Sequence, residues 1–214
     1  MNQLRLAATK VHIRWINADF KEVAVVRTPE GAKQEVVVFS SGNPVILSQT
    51  TGVGTIIIHD LVFVSDRLLK YVLVHELSHR RQLYPYVFYP LSMLLLAESI
   101  GLVAAALTVF PIVAATNSDI QYAIAIPIAL IVAPMLVVFA CFLSWLFELW
   151  ADYRSIKVLG IKTVAGAKED GRKLVQMHPN YFVRLIGWLS RPPLLITYRL
   201  YLRLNRRTID MGRL

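Results

Sequence analysis

Cysteine is almost absent from this chain. Cys141 stands alone among 214 residues, which excludes a disulfide framework and any cysteine-based zinc cluster. Charge is scarce as well: 17% of residues are charged and 56% apolar, with mean hydropathy +0.52. Soluble domains carry about 25% charge and 45–50% apolar residues, so this chain is too apolar for an ordinary soluble domain and for a disordered one. No glycine-rich phosphate loop or dinucleotide fingerprint occurs. Lys and Arg are missing altogether from residues 88–147, where Glu98 and Asp119 are the only charged groups. Whatever chemistry the chain performs must use His, Glu, Asp or a hydroxyl.

The charge that is present lies on the flanks. Residues 1–87 carry net +3 and residues 148–214 net +8, against −2 between them, within a formal total of +9. The basic pI near 9.8 therefore belongs to the borders of an apolar middle, which points away from nucleic acid and toward lipid. Two stretches, 91–116 and 121–146, each exceed the ~20 residues that cross a ~30 Å hydrocarbon core as a helix. Their connector, Thr116-Asn117-Ser118-Asp119, is short and polar, so they are expected to form a hairpin with both ends on one side. Basic flanks and a connector without cations predict cytosolic termini. Tyr84, Tyr86 and Tyr89 on one side, and Trp145 and Trp150 on the other, suit an interfacial aromatic belt. The first ten residues lack the apolar core of a signal peptide, so the hairpin is expected to insert by itself. Gly101/Ala105 and Ala125/Ala129/Ala133 repeat every four residues, either as a close-packing face or because alanine is common in spans. Glu98, at membrane depth, reads either as a functional group or as a neutral one in a helix interface.

The flanks read as soluble structure. Residues 10–64 are expected to be β-rich. Lys10 to Ile16 alternates, and 22–27 and 35–39 bracket a Pro29-Glu30-Gly31 turn as a hairpin. Ser65 or Asp66 would cap a helix running to about Arg81. Helix is expected to continue from Phe147 to about Leu159, with Gly160 as its stop, and again over 163–176. In the tail, Arg199, Arg203, Arg206 and Arg207 recur at near-helical spacing. That pattern suits either a helix on an anionic membrane surface or the solvated face of a docked helix.

Inside the helix before the apolar middle stands His75-Glu76-Leu77-Ser78-His79. Histidines at i and i+4 project from one helix face, so both imidazoles can reach one Zn²⁺ at ~2.0–2.1 Å. Glu76 beside them can take a proton from zinc-bound water. Chance produces this pentad in about one sequence in a hundred of such composition. A catalytic zinc keeps an open position beside three protein ligands, which calls for a third on another helix. Glu148-Leu-Trp-Ala-Asp152 offers two acids at i and i+4: Glu148 as ligand, and Asp152 to orient a ligand histidine through its other ring nitrogen. Standing alone, that stretch reads as ordinary surface acids. His12 reads as a surface or edge residue of a strand, His59-Asp60 as a turn, and Cys141 as a small apolar filler.

The order His-Glu-x-x-His, two spans, then Glu-x-x-Ala-Asp resembles the membrane gluzincins typified by the heat-shock protease HtpX and the CAAX prenyl protease, over roughly residues 43–190. Downstream, His178-Pro179 followed by Arg184 resembles the His-Pro-Pro and later Arg element of that family, with Asn180 where the second Pro stands. The resemblance implies that His178 stabilises the oxyanion of the tetrahedral intermediate and that Arg184 braces the site. On residues alone His178 is equally a surface histidine before a Pro-initiated helix. Asn43-Pro44-Val45-Ile46-Leu47 falls where these enzymes place an edge strand that pairs with extended substrate. The family pattern also has a pair of spans before the catalytic helix that this sequence lacks, so the resemblance is to a reduced form.

The expected fold class is thus an α+β membrane protein: a zincin-like catalytic domain, with a small N-terminal β-sheet plus helices, interrupted by an inserted two-helix transmembrane hairpin. Its segments are 1–64, β-rich; 65–84, the His-Glu-x-x-His helix; the spans 91–116 and 121–146; and 147–214, helical, with the third ligand and the basic tail. The expected function is a zinc endopeptidase in the cell membrane, its site and both termini cytoplasmic, with one Zn²⁺ per chain held by His75, His79 and Glu148. Glu76 is the expected general base. The expected partners are a polypeptide substrate close to the membrane, by resemblance a membrane protein, and membrane lipids. Nucleic acid is not expected, and a homo-oligomer is left open. The alternative is a catalytically silent metal-binding membrane sensor; relatives of that kind usually place Cys before the downstream Asp, where this chain has Ala151. A scaffold with a chance pentad is a third reading.

Overall fold

The computed structural model describes residues 1–42, 46–82, 89–116, 120–176 and 194–211. In chain order these form α1 (Gln3–Trp15), β1 (Asp19–Arg27), β2 (Lys33–Ser40), β3 (Ser48–Thr50), β4 (Ile56–His59), a 3-10 turn (Asp60–Val64), α2 (Asp66–Arg81), α3 (Tyr89–Thr116), α4 (Ile120–Leu159), α5 (Ile161–Gln176) and α6 (Leu194–Met211). The class is α+β with one small mixed sheet. Two compact units divide the chain: Met1–Tyr86 with Phe147–Leu214, and Val87–Leu146.

The first unit begins with a departure from expectation. Val11, Ile13 and Trp15 alternate like a strand, yet residues 10–16 lie mostly in α1. Asn2 caps this helix, its side chain accepting from the Arg5 N–H at 2.9 Å. Leu6, Thr9, Ile13 and Ile16 recur at helical spacing, and Ile13 is fully buried with Leu6 and Ile16 packed around it. Val11 and Trp15 are 67% and 68% exposed, so the alternation did not mark an inward face. The helix wins because it alone gathers Leu6, Ile13 and Ile16 on one side. The expected β-rich segment 1–64 therefore opens with a helix, and His12 belongs to it, its Nε2 3.1 Å from Gln49 Oε1.

β1 and β2 form the expected antiparallel hairpin, turned through Thr28–Ala32 with Gly31 at φ +85°. The strand order is β1-β2-β4-β3. β2 and β4 run parallel and β4 and β3 antiparallel. Side chains alternate across this sheet. Val37, Phe39 and Ile57 pack with Ile13 of α1. Val36, Ile56 and Ile58 join Leu68, Tyr71 and Val72 of α2, Ile156 of α4, and Val164 and Ala167 of α5. The unit is thus a helix, a sheet and a second helical layer, and the second layer carries the candidate site. Ser65 starts α2, accepting from the Leu68 N–H at 3.3 Å and donating to Asp170 of α5 at 2.8 Å. Gly160, at φ +80°, ends α4 and starts α5, with its N–H bonded to Ile156 O and its carbonyl accepting from the Val164 N–H.

The second unit holds α3 and the first part of α4. Pro90 falls in the first turn of α3, where its missing N–H costs nothing, and Pro127 and Pro134 lie within α4 without ending it. Among the described residues, one helical stretch, Pro127–Leu159, is long and apolar enough to cross a membrane, and only 11% of its apolar window is buried. α3 adds a shorter apolar stretch, Ala97–Thr108. The Gly101/Ala105 pair does not form a packing face: both are exposed, and a Cβ at Gly101 would meet nothing within 4 Å. Among the described residues the buried positions here are Ser99, Ala106, Ala133 and Ala140, seven residues apart on each helix. Glu98 is exposed.

Candidate metal centre

The pentad His75–His79 sits in the second half of α2, with both histidines buried. His75 and His79 are 8% and 3% exposed, deep enough that their ring nitrogens need partners. For both Nε2 atoms and for His75 Nδ1, partners come from the other ring and from α4. His75 Nε2 and His79 Nε2 lie 3.1 Å apart. Glu148 Oε2 is 3.2 Å from His75 Nε2, and Glu148 Oε1 is 3.2 Å from His79 Nε2. One ligand atom from each residue falls within 4.8 Å of the others. Tetrahedral bonds of ~2.0–2.1 Å place ligand atoms about 3.3–3.4 Å apart, so the spacing fits a zinc-sized cation. Two imidazole nitrogens and a carboxylate oxygen are also a donor set that suits Zn²⁺.

A second layer fixes these ligands. Asp152, one turn after Glu148 on α4 and 1% exposed, stands with Oδ1 3.2 Å from His75 Nδ1. Tyr71, one turn before His75 on α2, donates its hydroxyl to the same Oδ1 at 2.7 Å. Lys168 of α5 donates to Asp152 Oδ2 and forms an ion pair with it. Three helices therefore meet at one buried carboxylate, and this carboxylate orients the ligand histidine.

The charges support this arrangement. Burial opposes a charged His75, but the Glu148 carboxylate and the hydrogen bonds that the ring donates to Asp152 and Glu148 outweigh it and raise the imidazole from 6.5 to about 10. The protonated ring bridges two carboxylates, and a metal that binds here must displace its proton.

Glu76 is 4% exposed and faces β3. Ser48 Oγ donates to Glu76 Oε1 at 2.7 Å, and Thr50 Oγ1 lies 2.8 Å from Glu76 Oε2 and 3.1 Å from the Glu76 carbonyl. The hydroxyls of alternate residues on a strand at the sheet's edge thus hold both carboxylate oxygens.

The structure brings His75, His79, Glu148 and Asp152 together, while the carboxylate of Glu76, next to His75 in α2, is held by Ser48 and Thr50 of β3. His178 and Arg184 lie outside the described residues, as do Asn43-Pro44-Val45 and the connector 117–119. Of the strand expected at 43–47 only 46–47 are described, and they precede β3 (Ser48–Thr50), one of the two edge strands of the sheet. Leu47, with 2% exposure, is buried in the core and uses its carbonyl to accept from the His59 N–H at 2.8 Å. His59 ends β4 rather than reaching the metal site; its Nδ1 is 2.7 Å from Asp60 and its Nε2 3.2 Å from the Ser41 N–H. Sequence reasoning missed Tyr71, Lys168, Ser48 and Thr50. Tyr71 was findable, because i−4 from a ligand histidine shares its helix face. The other three are brought in by tertiary packing and carry no local signal. Comparison with protein families, curated proteins and solved structures gives no match for this chain.

Proposed function

We propose that the chain is a membrane-bound zinc endopeptidase of zincin-like fold, acting on polypeptide at the cytosolic membrane surface. The observation that carries this reading is the convergence of His75, His79 and Glu148 at 3.1–3.2 Å, with Glu76 beside them and next to an edge strand. The set combines two buried imidazoles, a partly buried carboxylate and a histidine oriented by Asp152, with a second acid, Glu76, next to His75 on α2. Zinc, when bound, polarises the scissile carbonyl and makes water nucleophilic at neutral pH. His75, His79 and Glu148 hold it, and Asp152, steadied by Tyr71 and Lys168, fixes the His75 ring. Glu76 accepts the proton of the attacking water on a carboxylate oxygen and returns it to the leaving amine. β3, paired in the sheet only with β4 among the described residues, offers an edge that an extended chain can join by backbone hydrogen bonds. His178 is assigned to the oxyanion and Arg184 to bracing on the resemblance alone.

Two spans, with α3 as the first and α4 as the second, complete the proposal. Support comes from the length of both helices, 28 and 40 residues, from the absence of Lys and Arg over 88–147, and from the basic flanks. Glu148 follows the second apolar stretch by two residues, so its substrates are polypeptide segments close to the membrane. The test is cleavage of an unfolded polypeptide by the purified chain in detergent. Cleavage is lost on chelation, restored by stoichiometric zinc, and absent in Glu148→Ala at zinc levels that saturate the wild type. Cleavage that survives chelation would contradict the proposal.

A further inference from the structure

We infer that the outward side of α1, with the β1 valines beside it, docks on an anionic lipid surface. This rests on the membrane reading above and adds a second point of attachment to it. The inward side of α1 is spent on the sheet, yet its outward side is apolar too. Leu4, Ala8, Val11 and Trp15 step by four, three and four residues, which sets them in one stripe along the helix. Leu4 is 82% exposed, and Val11 and Trp15 are exposed by two thirds. The sheet extends this patch. Val23 pairs with Val37 and Val25 with Glu35, and directly opposed residues share a face. Val37 packs beneath α1, so Val23 and Val25, both exposed, lie on the α1 side as well. Single exposed apolar residues are ordinary, but five large ones on one side mark an interaction surface.

Charge chooses the partner. Arg5, Lys10 and Arg14 are the charged side chains of α1, and the helix contains no Asp or Glu. Arg27 and Lys33, paired across the hairpin, lie on the same side by strand alternation, where Glu35 is occupied by the N-terminal amine. Asp19, at the start of β1, lines a cavity together with Lys10 and Arg14. A second copy of α1 would suit the stripe's spacing but would set cation against cation. An anionic leaflet satisfies both features: Leu4, Val11 and Trp15 enter the boundary between headgroups and acyl chains while the cations meet phosphate. Trp15 at the end of the stripe is the residue type that prefers this boundary. Three basic residues at an anionic surface strengthen attachment by on the order of a hundredfold.

The test uses the full chain in lipid vesicles, with Cys141→Ser as background and single nitroxide labels at Val11→Cys, Glu30→Cys or Val138→Cys. Access of oxygen relative to a water-soluble nickel chelate reports depth. In vesicles of phosphatidylcholine with a quarter phosphatidylglycerol, the Val11 label should show a ratio several-fold above that of Glu30 in the hairpin turn. In phosphatidylcholine alone the Val11 ratio should fall at least about twofold. A Val11 label as open to nickel as Glu30, a ratio indifferent to phosphatidylglycerol, or spin–spin broadening from a second copy would each overturn the inference. The Val138 label, on α4, separates the two levels. If it is lipid-immersed while Val11 is in water, only the α1 inference fails; if both are in water, the membrane reading fails.

Discussion

Replacing Lys168 by Met strands a carboxylate in the interior. Asp152 has 1% exposure, and its Oδ2 receives Lys168 while its Oδ1 serves Tyr71 and His75. Removing one partner of a buried pair costs about 3–5 kcal/mol when the remaining charge is left uncompensated, and here Tyr71 and the His75 ring retain part of the compensation on Oδ1, which sets the cost at the low end. The Lys168 side chain keeps 18% of its exposure, so water screens part of the pair and a loss of ~3 kcal/mol is expected. In a cooperative unit of this size each kcal/mol moves Tm by ~2–4 °C, which predicts a fall of ~6–12 °C. The assay is thermal unfolding of the chelator-treated protein in detergent, followed by tryptophan fluorescence. Adding Asp152→Asn to Lys168→Met removes the stranded charge. The double variant should therefore lose less than the sum of the two single losses, by ~0.5–3 kcal/mol. A Lys168→Met protein as stable as the wild type, or strict additivity in the cycle, would refute the reasoning that this buried pair holds the histidine layer together.

Three further outcomes follow from the same geometry. Asp152→Asn should weaken zinc binding ~10–100-fold in chelator competition, because the His75 ring loses the carboxylate that orients it. Thr50→Val should destabilise by ~1–3 kcal/mol by leaving a buried acceptor on Glu76 unsatisfied, and should slow cleavage. Thr50→Ser, which keeps the hydroxyl, should recover most of both, whereas equal losses in the two variants would assign the effect to packing. At the other end of α2, Arg67 and then Ser65 hold Asp170 down from 3.8 to about 2. The folded value lies below the unfolded one, so the stabilising effect of Asp170 is complete above 3.8 and disappears as pH falls through about 2. The Tm difference between wild type and Asp170→Asn should therefore be constant near neutrality and shrink across that window.

The parts of the fold legible in the sequence were those with strong local signals. The hairpin turn at Pro29-Glu30-Gly31, the Ser65 cap, and the Gly160 stop at φ +80° each depend on residues within one turn of the chain. The bounds of α3 and α4 followed from long apolar runs, in which no other element competes. α1 was misread because Val11, Ile13 and Trp15 satisfy the two-residue period while Leu6, Thr9, Ile13 and Ile16 satisfy the helical one, and only packing on β2 and β4 decides between them. The candidate ligands were legible for a related reason. His75 and His79 are fixed by helical spacing, and Glu148 and Asp152 share a face one turn apart. Their mutual approach across 69 residues and more of chain is set by the core of Tyr71, Val72, Ile156 and Val164. The same packing brings Lys168 and the β3 hydroxyls to the site. Neither has a periodic or motif signature, since each lies in a segment whose own pattern is complete without it.

Glu76→Gln tests the central claim most directly. Glu76 is not among the three ligand residues, so the variant should retain one zinc per chain, measured on the purified full chain. Its cleavage of an unfolded polypeptide should fall to background, the loss of a general base alone being worth ~10²–10⁴-fold. Wild-type cleavage by Glu76→Gln with zinc bound would contradict the account.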